Sequence, residues 1–196
     1  MNLDNPEPLL WLRGHRAALG PFSRDLVEKY WEWEQDPRVI IGYGRQTPES
    51  LESRIEGYTS QARSMGNQER FTVYDLTADG GPRPVGTTAL RIDHYVRTAE
   101  YVILLGPEGR GKGLATETTR LTLDYGFHIT QLRAIWLKVL EHNTAAIRAY
   151  HAAGFKEVGR MRRAGYWLGA ECDEILMDAI PQDFPGPSAV RSLIEV

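Results

Sequence analysis

The segment Val102-Ile103-Leu104-Leu105-Gly106-Pro107-Glu108-Gly109-Arg110-Gly111-Lys112-Gly113-Leu114-Ala115-Thr116 runs from an apolar strand through a glycine-rich loop into the start of a helix. Glycines at 109, 111 and 113 allow a tight turn and let backbone N–H groups approach a ligand closely. The helix that follows adds unsatisfied N–H groups and the positive end of its dipole, so the segment predicts a seat for an anion such as phosphate.

Gly106 to Lys112 also fits the nucleotide-hydrolase pattern G-x-x-x-x-G-K up to its last position, where a Ser or Thr hydroxyl holds magnesium. Gly113 stands there instead, and no later apolar run ends in a suitably spaced Asp, so nucleotide hydrolysis is set aside. A glycine turn without a ligand is the remaining alternative, and a second segment weighs against it: Asn143-Thr144-Ala145-Ala146-Ile147-Arg148-Ala149-Tyr150-His151-Ala152-Ala153-Gly154-Phe155. Asn143 is a good helix N-cap, Ile147 and Tyr150 share a face, and Gly154 is a natural C-terminal stop.

Together the two segments carry a family resemblance. Arg110 to Ala115 resembles the R/Q-x-x-G-x-G/A signature of the GNAT superfamily of N-acetyltransferases, and Asn143 to Phe155 looks like that family's N-x-x-A-I-x-x-Y-x-x-x-G-F segment. The resemblance runs from about Val85 to Asp183. Through Arg97-Thr98-Ala99-Glu100-Tyr101 it is nearest the ribosomal-protein N-terminal (RimJ/RimL-like) and spermidine acetyltransferase branch. It implies an α+β, single-domain GNAT fold whose mixed central sheet has about seven strands, with helices on both faces.

Composition is compatible with that reading. With 196 residues and 42% hydrophobic content the chain can bury one core. A single cysteine, Cys172, excludes an intrachain disulfide and fits a reducing, cytoplasmic setting. A formal charge of −3 gives no basic footprint for nucleic acid, and no apolar run is long enough for a membrane span. Residues 1–12 read as an extension, 13–184 as the domain and 185–196 as a tail straggling over the surface; a homodimer is left open.

Periodicity predicts a strand at Arg16–Gly20, a helix capped by Ser23 and running to about Gln35, and a helix over Pro48–Ser64 opened by Thr47. Strands follow at Arg70–Asp75, Val85–Asp93 and Ala99–Leu105, then a helix from Gly113 to about Ile129 and a fully buried strand at Ala134–Leu140. After the Asn143 helix, Phe155–Arg162 and Glu171–Ile180 form a closing hairpin.

The resemblance implies acetyl-CoA bound along Ile103, Leu104, Leu105, Arg110, Gly111, Lys112, Gly113, Leu114, Ala115, Thr116, Asn143, Ala145 and Tyr150, with no metal. The backbone of Ile103 and Leu105 would hold the pantetheine arm as an added strand, and Arg110 and Lys112 would meet phosphates. Tyr150 is the expected proton donor to the leaving thiolate. Glu100, on one face with Val102 and Leu104, is the candidate base, with Glu141 as a weaker alternative and pairing to Arg91 or Arg97 as its bland role. Cys172 has no His spaced to activate it, so an acyl-cysteine route is unexpected.

The acceptor is less clearly marked. Trp31, Trp33, Tyr43, Tyr166 and Trp167 are candidates to line its groove, although Trp31 and Trp33 are two apart on a helix and cannot face the same way. Glu28, Glu32, Glu34 and Asp36 would attract a cationic amine or simply form a solvated face. Where spermidine enzymes carry an acidic loop, this chain has Ile40-Ile41-Gly42-Tyr43-Gly44-Arg45-Gln46, so spermidine is expected to be poor. The expected reaction is direct acetyl transfer to a primary amine, on a protein N-terminus, an antibiotic or a metabolite. The alternatives are a polyamine acetyltransferase and a non-catalytic acyl-CoA-binding sensor.

Overall fold

In the computed structural model, residues 7–43, 48–63 and 67–194 are described. The central sheet has eight strands in the order β1-β2-β3-β4-β5-β6-β8-β7. They are β1 (Leu12–Arg13), β2 (Ala17–Pro21), β3 (Gln68–Asp75), β4 (Arg83–Asp93), β5 (Thr98–Leu105), β6 (Ala134–Leu140), β7 (Lys156–Trp167) and β8 (Ala170–Ala179). The strand beyond the expected seven is β1, which at two residues is too short to leave a periodic signature.

Every neighbouring pair is antiparallel except β5 and β6, which run parallel. Their register covers only Thr98↔Ala134, Ala99↔Ile135 and Glu100↔Trp136. Past Glu100 the strands diverge, because β5 stays paired to β4 through Leu105 while β6 stays paired to β8 through Leu140. The divergence leaves one edge of β5 open over Tyr101–Leu105, and this positions the site.

Helices cover both faces. On one lie α1 (Val27–Glu34), α2 (Pro37–Gly42) and α3 (Leu51–Arg63); Val27, Tyr30, Trp33 and Val39 pack there on Leu104. On the other lie α4 (Leu114–His128) and α5 (Thr144–Ala153), over a core that includes Leu90, Tyr101, Leu123, Phe127, Ile135, Phe155 and Met177. Leu114 and Leu121 extend that layer against Leu12, Leu19, Phe71 and Val73.

Four expectations about elements change. The Ser23 cap opens a short 3-10 turn at Arg24–Leu26 before α1, accepting from the Asp25 N–H. The stretch read as a loop from Ile40 begins inside α2, which has Asp36 as N-cap and Pro37 in its first turn; its residues 44–46, with Thr47 and Ser64, lie outside the described residues. The β6 strand is buried on one face only, since Trp136 is half-buried and Lys138 exposed. The tail does not straggle: α6 (Ala189–Ile194) docks with Val190 buried. Asp124, itself buried, accepts from Ser188 Oγ at 2.6 Å and the Val190 N–H at 3.0 Å.

Candidate active site

Along β5 the backbone alternates sides. The Val102 carbonyl accepts from Thr88 Oγ1 of β4 at 3.0 Å, which turns the backbone of Ile103 and Leu105 toward the divergence. Two side chains hold those carbonyls: the Tyr43 hydroxyl donates to Ile103 O at 2.5 Å, and Arg110 Nε donates to Leu105 O at 3.0 Å. The Leu104 side chain is buried against the α1 layer. These residues therefore divide their work, with side chains in the core and backbone at the open edge.

The loop after β5 passes over Trp33. A Cβ on Gly106 would lie 2.3 Å from the indole Nε1, so only glycine lets the chain cross there. Gly111 and Gly113 have φ of +72° and +74°, and Gly113 is the N-cap of α4 with no side chain capping it. The first N–H groups of α4, on Leu114, Ala115 and Thr116, thus lack a side-chain partner at the loop, as an anion seat requires. Leu114 also fills the core with its side chain, 1% exposed.

The loop's two cations are engaged elsewhere, contrary to their expected role at phosphate. Lys112 Nζ lies 2.9 Å from Oδ2 of fully buried Asp75, and Arg110 NH1 lies 2.8 Å from Asp36 Oδ2. Although burial works against ionisation, hydrogen bonds from Arg38 and Arg110 hold Asp36 down to about 2. Both side chains brace the loop from outside. A cation the sequence reading missed is Arg16, whose guanidinium NH1 would lie 3.5 Å from a Cβ placed on Gly113. Its signal was only its position at the start of the first strand.

Tyr150 projects from α5 beside the divergence, with its ring edge-on to Tyr101 at 6.1 Å and to Phe155 at 6.0 Å. Burial pushes its hydroxyl above the ordinary value of 10. Asn143 caps α5, accepting from the Ala146 N–H at 3.3 Å, and its amide nitrogen reaches toward Gly42 of α2. Ala145 is exposed in the first turn.

Glu100 stands on the opposite face of β5, paired with Arg91 at 3.0 Å. It lines a cavity of about 670 Å³ with Phe22, Arg70, Arg91 and Trp136. Glu141 is committed to the β8 backbone and to Arg160, each at 2.9 Å, so it is no rival as base. Cys172 is buried, and burial together with Glu141, Asp173 and Glu174 raises its thiol, the reverse of activation.

The acceptor candidates separate. Trp33 is 1% exposed with its Nε1–H on Glu108 at 3.1 Å, so it is a core residue and lines no groove. Trp31 is half-buried and donates to the Glu49 carbonyl at 2.6 Å. Tyr43 sits at the β5 edge, while Tyr166 is exposed and Trp167 leans toward His142 at 6.1 Å near the start of α5. Of the cavity residues, Arg91 was expected only as a partner of Glu100, and Phe22, Arg70 and Trp136 escaped sequence reading because they come from the turn after β2 and from separate strands, with no local spacing in common. Among the described residues no group of three or more His, Cys, Asp and Glu side chains gathers to hold a metal, and no helix is long and apolar enough to cross a membrane.

Comparison with known proteins agrees with this architecture. The family model for the acetyltransferase (GNAT) domain matches residues 16–156. The Escherichia coli spermidine N(1)-acetyltransferase is 40% identical over 148 residues, covering 75% of this chain and 76% of that protein. Its Vibrio cholerae counterpart is 33% identical over 126 residues, covering 63% of this chain and 70% of that protein. The crystal structure of the Vibrio cholerae spermidine N-acetyltransferase with CoA and spermine superposes with a TM-score of 0.79, over 87% of this chain and 99% of that one. At 24% identity that likeness carries the fold. The match across most of the domain, joined to the identity with the Escherichia coli enzyme, makes this chain a member of the GNAT family, an N-acetyltransferase that takes its acetyl group from acetyl-CoA and delivers it to an amine.

Proposed function

We propose that the acceptor is a primary amine held in the cavity beside Glu100, and that it attacks the thioester directly where β5 and β6 part. The observation that carries this reading is the divergence itself: the last residue of β5 paired to β6 is Glu100, at the end of the cavity on one face, and the open stretch begins at Tyr101, which meets Tyr150 on the other.

Acetyl-CoA, when bound, supplies the activated thioester. The chain's own part begins with the backbone N–H groups of Ile103 and Leu105, which take the pantetheine arm along the open edge beside carbonyls held by Tyr43 and Arg110, while the N–H groups of Gly111 to Thr116 take the pyrophosphate. Asn143 offers its side-chain amide to the arm from across the gap, and Arg16 lends positive charge beside Gly113. Glu100 receives the amine's proton, directly or through one water. As the C–N bond forms and the C–S bond breaks, one proton leaves the amine and one arrives at the thiolate, with Tyr150 delivering it. A tyrosine above pKa 10 is a weaker acid than a thiol near 8.5 by at least about 2 kcal/mol. Tyr150 therefore gives up its proton only as the C–S bond breaks, and solvent restores it while Glu100 sheds the proton taken from the amine.

A second reading, acetylation of spermidine, is favoured by the sequence identity with the Escherichia coli and Vibrio cholerae spermidine N(1)-acetyltransferases. The test of the general reading is free-thiol release from acetyl-CoA with a panel of primary amines, followed against pH. Turnover should rise with pH as the amine deprotonates, and Glu100→Gln should flatten that rise while acetyl-CoA still binds. An unchanged profile in Glu100→Gln would remove Glu100 as base, and cofactor binding without thiol release for any amine would make the protein a sensor.

A further inference from the structure

The cavity beside Glu100 has an unusual charge arrangement. Arg91 is neutralised by Glu100 at 3.0 Å. Asp93, also on the rim, accepts from the backbone N–H groups of Tyr95 at 2.9 Å and Val96 at 3.4 Å. Arg70 is different. Its guanidinium lies over the Phe22 ring, 5.4 Å from the centroid, and it is half-buried. Among the described residues no carboxylate bonds to it directly: Glu34 is near enough to act on its charge, but its carboxylate is held by Arg54 at 2.9 Å.

Burial, with Arg54 and Arg91 nearby, outweighs the raising effect of Glu34 and lowers the Arg70 pKa to about 10. The group is still charged at neutral pH, and its surroundings resist further positive charge. Three of the four acids that would have drawn in a polycation are already occupied, Glu32 by Lys29, Glu34 by Arg54, and Asp36 by Arg38 and Arg110, and the fourth, Glu28, is exposed on α1 and does not line the cavity. A half-buried guanidinium that no carboxylate bonds directly among the described residues, facing a cavity large enough for a small metabolite, is built to take two oxygens of an anion side by side.

We infer that the acceptor carries a carboxylate as well as its amine, that Arg70 seats the carboxylate, and that the amine end turns toward Glu100. This rests on the reading that the acceptor occupies this cavity. The acceptor class is then an amino acid in place of a polyamine, and Arg70 is a specificity-determining residue. A phosphate monoester presents similar oxygens, so the test separates the two.

Thiol release is measured with matched acceptors that differ by one group. The common amino acids and ornithine are each compared with the amine left on loss of the carboxylate, for example lysine with cadaverine and ornithine with putrescine. Phosphoethanolamine against ethanolamine is the phosphate arm, and spermidine is run alongside. At least one amino acid should exceed its decarboxylated partner tenfold or more in kcat/KM, chiefly through KM. Arg70→Gln should erase most of that ratio and Arg70→Lys should keep part of it, with KM for acetyl-CoA within twofold in both. The wild-type comparison stands even where a variant fails to fold. Preference for spermidine or the decarboxylated amines, preference for phosphoethanolamine, or no turnover with any amino acid would each overturn the carboxylate assignment. An unaltered pH profile in Glu100→Gln with the preferred acceptor would instead overturn the cavity reading on which it rests.

Discussion

Replacing Lys112 with alanine separates a strut from a phosphate ligand. In a glycine-rich loop before a helix a lysine invites the second reading, yet its ammonium sits 2.9 Å from the carboxylate of Asp75, whose side chain is fully buried while that of Lys112 is 44% exposed. Removing the ammonium leaves Asp75 with the Thr77 N–H at 2.8 Å and the Thr77 hydroxyl at 2.6 Å. Breaking a fully buried pair costs about 3–5 kcal/mol. The exposed cation and the two surviving hydrogen bonds reduce this to about 2 kcal/mol, the scale of one hydrogen bond to a charged group. For a chain of this size that is a fall in Tm of roughly 4–8 °C. The pair also sets an acid limit. Burial opposes ionisation of Asp75, but the Thr77 and Lys112 hydrogen bonds win and hold its pKa below 3.8, so its stabilisation is present above that value and is lost as pH falls toward the folded pKa. In Lys112→Ala the loss should begin at higher pH. Thermal melts between pH 3 and 7, with calorimetry of acetyl-CoA binding, give both readouts: reduced stability and an affinity within about threefold. A tenfold loss of affinity with an unchanged melt would show that Lys112 reaches the phosphates and would refute the strut.

Gly113→Val imposes a β-branched side chain on φ of +74° at the N-cap of α4, and calorimetry should find acetyl-CoA binding at least tenfold weaker, about 1.4 kcal/mol. Tyr150→Phe should hold acetyl-CoA affinity within a few fold while steady-state turnover falls by roughly two to four orders of magnitude; equal turnover would reduce Tyr150 to packing. Arg16→Ala should weaken acetyl-CoA severalfold at low salt and much less at high salt, as expected for an exposed cation near phosphate, and salt-independent binding in both proteins would exclude it.

What the sequence disclosed follows from where a physical demand is local. Positive φ at Gly111, Gly113 and Gly154, and the Asn143 cap, are demands of a few consecutive residues, so they leave a readable pattern and the helices and strands beside them were placed within a few residues. The α2 helix is also written locally, since Asp36 before Pro37 is a helix-start signal. The partners of Lys112 and Arg110 are 37 and 74 positions away, and those of the tail lie on α4, so no spacing announces them. The same holds for Arg70, which looks like any strand arginine until Phe22, Arg54 and Arg91 are set around it.

The catalytic proposal follows from a period of two. Glu100 and Tyr101 are consecutive on an extended strand, so their side chains point to opposite faces. Glu100 meets Arg91 and the cavity proposed for the acceptor, and Tyr101 meets Tyr150 edge-on. In a continuous sheet those two faces would be sealed from each other, and a base on one would have no access to a leaving group served from the other. Where β5 loses its β6 neighbour the seal is absent, since pairing stops at the Glu100↔Trp136 register. A thioester laid along the open edge of β5 is then exposed to the amine on the Glu100 side and to the Tyr150 hydroxyl on the other. On this account the acid and the base need never touch: moving Glu100 by one position along β5 would put it on the wrong face, and moving Tyr150 by one along α5 would turn it about 100° away from Tyr101.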